Sequence, residues 1–191
     1  MRQEEVWNDF YSRNRTAWRG NTVIPVVDTG RALDLGCGNG KTVSTLIDEG
    51  FEVTGIDFSS VAVEQCRENF PDSRFEVASA CDLPFEDDSF DYITAVHVLE
   101  HLNDEELSKA VDEIYRVLKK GGHVFIRSFT ENDMRSKDRK DSDIFYRFYD
   151  IDTVVDAFAC FDVVSAEVKE DRTRFGTIRS RVEVLLASNK A

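Results

Sequence analysis

Apolar residues follow two rhythms along the chain. In "RALDLG" (31–36), "FEVTGID" (51–57), "SRFEVASA" (73–80), "FDYITAVHV" (90–98) and "HVFIRSF" (123–129) they form short, nearly continuous blocks rich in β-branched and aromatic residues, the pattern of buried strands. Between the blocks the spacing becomes helical, over about 41–49 (ended by Gly50), about 60–69 (stopped before Pro71), and from a cap at Asn103 or Asp104 to about Lys119. Lys119 and Lys120 suit that last helix's C-terminal end, and Gly121–Gly122 would stop it. Val6, Trp7, Phe10 and Tyr11 give residues 1–20 a helical start. Strand and helix in alternation predict a parallel sheet with helices on both faces. The last third changes rhythm. A charged loop and a helix around 152–158 precede "FDVVSAEVKE" and "RVEVLLAS", two strands too closely joined to be parallel. The expected fold class is therefore α/β: a doubly wound, mostly parallel seven-stranded sheet with one antiparallel strand near the edge.

The 191 residues read as one domain. Residues 1–29 form an N-terminal helical lid segment, 30–129 a core, and 130–191 a lid loop, helix and antiparallel edge strands. No apolar run approaches the ~20 residues that span a bilayer, and "MRQEEVWNDF" is too polar for a signal peptide. Cys37, Cys66, Cys81 and Cys160 form no C-x-x-C pair and read as free thiols of a cytoplasmic protein. A formal net charge of -13 disfavours nucleic acid as a partner. Arg172, Arg174, Arg179 and Arg181 cluster locally, and a solvated strand edge accounts for them.

The candidate chemistry begins at "LDLGCGNGKT" (33–42), a glycine-rich turn leaving the first strand. A phosphate loop, G-x-x-x-x-G-K-[ST], would need glycine at 35, which is leucine. A dinucleotide turn, G-x-G-x-x-G, fits Gly36 and Gly38 but meets Lys41 at its third glycine. Both phosphate readings miss by one residue. The pattern that fits is D-x-G-x-G-x-G, with Asp34, Gly36, Gly38 and Gly40. Alternate glycines would let the backbone approach a ligand arm closely. Asp57, ending the second strand, is suited to the two hydroxyls of a ribose, or to capping the next helix; Ser59 or Ser60 would cap better and leave Asp57 free.

This set of motifs resembles class I, Rossmann-like S-adenosylmethionine-dependent methyltransferases of the small-molecule type. The resemblance runs over about 30–127 and includes "ACDLPFEDDSFDYI" and "RVLKKGGHVFI". It implies S-adenosyl-L-methionine as cofactor and S-adenosyl-L-homocysteine as product. The implied cofactor contacts are Asp34, Gly36, Cys37, Gly38 and Gly40 at the first turn, Asp57 and Phe58 after the second strand, Cys81, Asp82 and Leu83 after the third, and Val96 and His97 at the end of the fourth. Asp82 would contact the adenine amino group, or serve as a turn former before Pro84.

"HVLEH" (97–101) has the H-x-x-E-H spacing of a zinc site, but a strand–loop boundary does not bring both histidines to one face, so no metal is expected. His97 fits two roles, a backbone contact to the cofactor, which is favoured, or a base for the acceptor. Neither an Asn/Asp-Pro-Pro-aromatic motif nor a cysteine pair for RNA cytosine chemistry is present. Tyr11, Trp18, Arg19 and His101 are expected to line the acceptor pocket, with an arginine among 13, 15 and 19 pairing the methionine carboxylate. The N-terminal segment would serve equally as a helix packed on the sheet. The function expected is methyl transfer to a small molecule by in-line displacement. Protein or tRNA methylation, and cofactor binding without catalysis, are the alternatives.

Overall fold

The computed structural model describes residues 3–15, 22–25, 27–138 and 144–191. After α1 (Gln3–Arg13) the alternation runs β1 (Arg31–Leu35), α2 (Lys41–Asp48), β2 (Glu52–Asp57), α3 (Ser60–Asn69), β3 (Arg74–Val77) and β4 (Phe90–Val96). A 3-10 turn at Leu99–His101 leads to α4 (Asp104–Val117), β5 (Leu118–Phe129), the short α5 (Arg135–Asp138), α6 (Ile151–Ala157), β6 (Phe161–Arg172) and β7 (Ile178–Ser188). The seven strands lie in the order β3-β2-β1-β4-β5-β7-β6. Only β7 is reversed, antiparallel to both β5 and β6, one place in from the edge. The expected fold class holds. The order turns back between β1 and β4, and a crevice opens there beyond the carboxyl ends of the strands.

Local chemistry starts the helices. The Ser59 hydroxyl accepts from Ala62 N at the head of α3, and Asn103 with Glu106 forms a reciprocal capping box on α4. The end of α4 departs from expectation. The helix stops at Val117, because Leu118, fully buried, already pairs with Phe90 of β4. Lys119 turns to the Asp91 carboxylate at 2.8 Å instead of completing the helix, and Gly121–Gly122 falls inside the β5 segment. A helix C-terminus offers a lysine only a partial charge, whereas Asp91 offers a full carboxylate. β3 is also shorter than "SRFEVASA" suggests: the chain leaves the sheet after Val77 and folds back through a Ser79–Asp82 bridge at the crevice.

Two apolar clusters flank the sheet, one with Leu33, Ile93, Ile114 and Val184, the other with Val43, Leu46, Val63 and Tyr92. α1 lies across α3 and buries Trp7 and Tyr11. Among the described residues no helix is long and apolar enough to cross a membrane.

Candidate active site

The glycine turn is pinned from below. Asp57 accepts from Gly38 N at 3.0 Å and from Ser59 N at 2.8 Å, so the carboxylate that should have been left free is already engaged by backbone. Gly36 and Gly38 have φ of 64° and 52°, a region side chains rarely adopt. A Cβ on Gly36 would come within 2.7 Å of Val98, and one on Gly38 within 2.8 Å of the Tyr11 hydroxyl. The glycines thus admit Val98 and Tyr11 over the turn. Gly40 packs under Phe70, where it begins α2, rather than facing the crevice.

Beneath the turn Asp34 is buried. Its Oδ1 accepts from the Thr94 hydroxyl at 2.7 Å, and its Oδ2 has no partner. Burial pushes the Asp34 carboxyl up to about 7, against the Thr94 bond, and the Asp57 carboxyl up to about 6, against its two backbone donors. A carboxyl raised in the folded state binds more protons there than when unfolded, so its ionisation works against folding as pH rises from near 4 to 7. Asp34→Asn is therefore expected to raise the melting temperature by several degrees at pH 8 and to leave it little changed at pH 4. Thermal melts at the two pH values check this.

Two adjoining cavities, of about 520 and 430 Å³, share Trp7, Tyr11, Gly36, His97 and His101 and so form one cleft. The smaller lies over β2 and β3, bordered by Ile56, Asp57, Phe58, Ala78, Ser79 and Cys81. The larger lies over β4, β5 and β7, bordered by Cys37, Gly38, Val96, Arg127, Phe129 and several further cations. Asp82 and Leu83 line neither cavity. Asp82 is exposed, and Leu83 faces the core with its N–H donated to Glu113 at 2.6 Å; the fold-back at Ser79 presents Ala78–Cys81 instead. Tyr11 and His101 do line the cleft, while Trp18 and Arg19 fall outside the described residues. Arg13 and Arg15 pair with Asp9 and Glu68 on the surface, so neither reaches the cleft.

At the junction of the cavities stands a pair that sequence reasoning valued only in part. His97 is held at φ 61° by its own N–H, donated to Arg127 O at 2.8 Å. Its ring stacks on Phe129 at 3.9 Å, and Nδ1 lies 2.9 Å from Glu100 Oε1. Glu100 is fully buried and also accepts from Phe129 N. Burial opposes its charge, but the His97 bond holds its carboxyl below the ordinary value. Burial likewise lowers the His97 pKa, more than Glu100 raises it. A carboxylate on Nδ1 fixes the proton there and leaves Nε2 as a bare acceptor. With 28% of the side chain exposed, the ring is reachable from the cleft. His101 is turned elsewhere, to Phe145 O and between the Trp7 and Tyr146 rings, and no metal-binding group forms among the described residues.

The arginines read as a solvated edge divide between elements. Arg172, at the end of β6, and Arg174, in the turn after it, are exposed, whereas alternation along β7 puts Arg179, Arg181 and Glu183 on the face that borders the larger cavity. Glu183 meets Arg127 of β5 at 2.7 Å, both buried. A charged residue inside the apolar "HVFIRSF" block was the available signal for this pair.

The sequence pattern described as a methyltransferase domain matches residues 33–126. A demethylmenaquinone methyltransferase of Clavibacter sepedonicus is 41% identical over 123 residues, 61% of this chain and 49% of that protein. One from Renibacterium salmoninarum is 34% identical over 129 residues, 66% of this chain and 54% of that protein. The chain thus spans about half the length of these curated relatives. In fold it is similar to a crystal structure of an S-adenosylmethionine-dependent methyltransferase from Methanosarcina mazei, with a TM-score of 0.73 at 23% identity, over 85% of this chain and 94% of that one. The matching segment runs from β1 into β5, and the complete sheet around it has the class I, Rossmann-like methyltransferase fold.

Proposed function

We propose that the protein transfers the methyl group of S-adenosyl-L-methionine to a small-molecule acceptor and releases S-adenosyl-L-homocysteine. The observation that carries this reading is the continuous cleft over the turn-back of the sheet, apolar at its β2–β3 end and polar at its β5–β7 end, with His97 between. The β2–β3 end suits an adenosine: Ile56, Phe58 and Ala78 offer apolar contact, and Asp57 keeps lone pairs beyond its two backbone donors. Two buried carboxyls around the turn, one with an unpartnered oxygen, favour a cationic ligand and disfavour a pyrophosphate.

When bound, the cofactor supplies a methyl group on a positively charged sulfur that is a good leaving group. The protein's own part is alignment and exclusion of water. Trp7 and Tyr11, brought in by α1, border both cavities, and Tyr146 closes on His101 from the loop after β5. His97, oriented by Glu100, accepts the proton that an acceptor hydroxyl or carbon acid must lose. Because burial keeps its pKa below the ordinary 6.5, His97 stays neutral at neutral pH, and the acid limb of the rate profile is expected below 6.5. The four free thiols support a cytoplasmic enzyme.

The test is calorimetric titration with S-adenosylmethionine, S-adenosylhomocysteine, NADH and ATP. Micromolar binding of the first two alone is expected. Asp57→Asn, which preserves size, should weaken both by about tenfold or more. Binding of NADH or ATP instead would sink the reading. Turnover of labelled cofactor then separates an enzyme from a non-catalytic binder.

A further inference from the structure

The larger cavity is far more cationic than a chain of net charge -13 would lead one to expect. Six cationic side chains border it (Lys41, Arg127, Arg135, Lys169, Arg179 and Arg181) against two carboxylates, Asp171 and Glu183. Both carboxylates are already used. Glu183 binds Arg127 and Lys169, and Asp171 binds Arg181. Arg135 has a longer contact, 3.4 Å, to Asp133 and lies over the Phe129 ring. Lys41 and Arg179 have no acidic partner among the described residues, and the buried Nε of the half-buried Arg179 makes no hydrogen bond.

These two are held against repulsion. Burial lowers the Lys41 pKa, and Arg179, Arg127, Arg181 and Arg135 lower it further. Arg179 is lowered by burial and then by Arg135 and Arg181, which Asp133 and Asp171 offset only in part. Arg179 occupies the cavity-facing register of β7, opposite Asp171 of β6, whose carboxylate is taken by Arg181. Unpaired, partly desolvated cations converging on one cavity are the condition for binding an anion.

We infer that this end of the cleft takes an acceptor carrying an oxyanion group, a carboxylate or a phosphate, held by Arg179 and Lys41. The inference rests on the methyltransferase reading for the word acceptor, but not for the anion. Phe129 and Tyr146 border the same cavity and give the rest of such a molecule an aromatic surface. The oxyanion anchors one end while the atom to be methylated is turned toward His97. Small occupants fit better than nucleic acid, because the cations lie inside a cavity of about 520 Å³ and the exterior is acidic.

The experiment measures binding of 1-naphthyl phosphate, 1-naphthoate and neutral 1-naphthol to protein saturated with S-adenosylhomocysteine. One of the two anions is expected to bind at least about tenfold more tightly than the naphthol, and the better one identifies the group. Arg179→Met should erase that preference while S-adenosylhomocysteine affinity stays within about twofold, and Lys41→Met should do the same. Arg179→Met is also expected to raise the melting temperature of the free protein, since it removes repulsion without removing a partner. Equal affinity for anion and naphthol would overturn the inference. So would a parallel loss of S-adenosylhomocysteine binding in both variants, which would assign the cations to the cofactor's carboxylate. Displacement of the anion by tRNA at lower concentration than by inorganic phosphate would overturn the small-molecule occupant. Anion preference without S-adenosylhomocysteine affinity would keep the charge argument and remove the methyltransferase reading; the converse would do the reverse.

Discussion

Glu183→Ala is expected to destabilise the protein by about 3–5 kcal/mol, the usual cost of stranding one member of a buried ion pair. Arg127 and Glu183 face each other across the β5–β7 register, with 6% and 5% exposure. Arg127 Nε donates to Glu183 at 2.7 Å, and its other nitrogens donate to the Thr22 hydroxyl and the Val23 carbonyl, fixing the segment before β1. Lys169 of β6 reaches the second Glu183 oxygen at 2.9 Å. Removing the carboxylate leaves a buried guanidinium with neutral partners only. At about 2–4 °C per kcal/mol for a chain of this size, the melting temperature should fall by roughly 10 °C. Replacing both residues with methionine should recover much of the loss, because no charge is then stranded. Burial raises the Glu183 pKa, but Lys169 and Arg127 together hold it below its ordinary 4.5. The sign follows: the pair's stabilisation is present above about pH 4.5 and is lost as pH falls through the lower folded value. Melts of the wild type, the single and the double variant across pH 3–7 test each point.

His97→Asn is expected to lower kcat by about 10²–10⁴-fold while S-adenosylhomocysteine affinity changes little. Asparagine is chosen because the backbone at 97 has φ 61°, a conformation that histidine and asparagine tolerate better than most residues. The N–H to Arg127 O survives the change, so a role confined to the backbone would leave the rate intact. A role as base would not. Added imidazole should restore part of the activity in the variant, and the acid limb of the wild-type profile should disappear. In the wild type, nitrogen chemical shifts should report Nδ1 protonated and Nε2 bare at neutral pH, as the Glu100 contact requires. Retained activity in His97→Asn would return His97 to a packing role against Phe129.

Both residues illustrate how differently the site was legible. Asp34, the glycines and Asp57 stand on one local motif and the strand beside it, so spacing alone assembled them. His97 was found by its position at the end of β4, but not its partner, since the 3-10 turn that swings Glu100 back under it is a tertiary bend. The fold-back at Ser79, which sets Ala78–Cys81 against the cleft and turns Leu83 to the core, is announced by no periodicity. The facing of Arg179 and Arg181 onto the cavity is not legible in the sequence, because a charge run has no facing partner in a linear chain.

The sequence by itself determined the elements, the alternation that makes the sheet parallel, the reversal near its edge and the glycine turn between β1 and α2. Those features depend on interactions within a few residues: apolar periodicity, caps and glycine's access to positive φ. Only the tertiary structure decided what borders the cleft. It ended α4 early because Leu118 found Phe90, and it engaged Asp57 with the turn above it. It also set Arg179 and Lys41, far apart in the chain, against one cavity with no acidic partner among the described residues. Charge and burial act through space, so their balance exists only once distant strands are side by side.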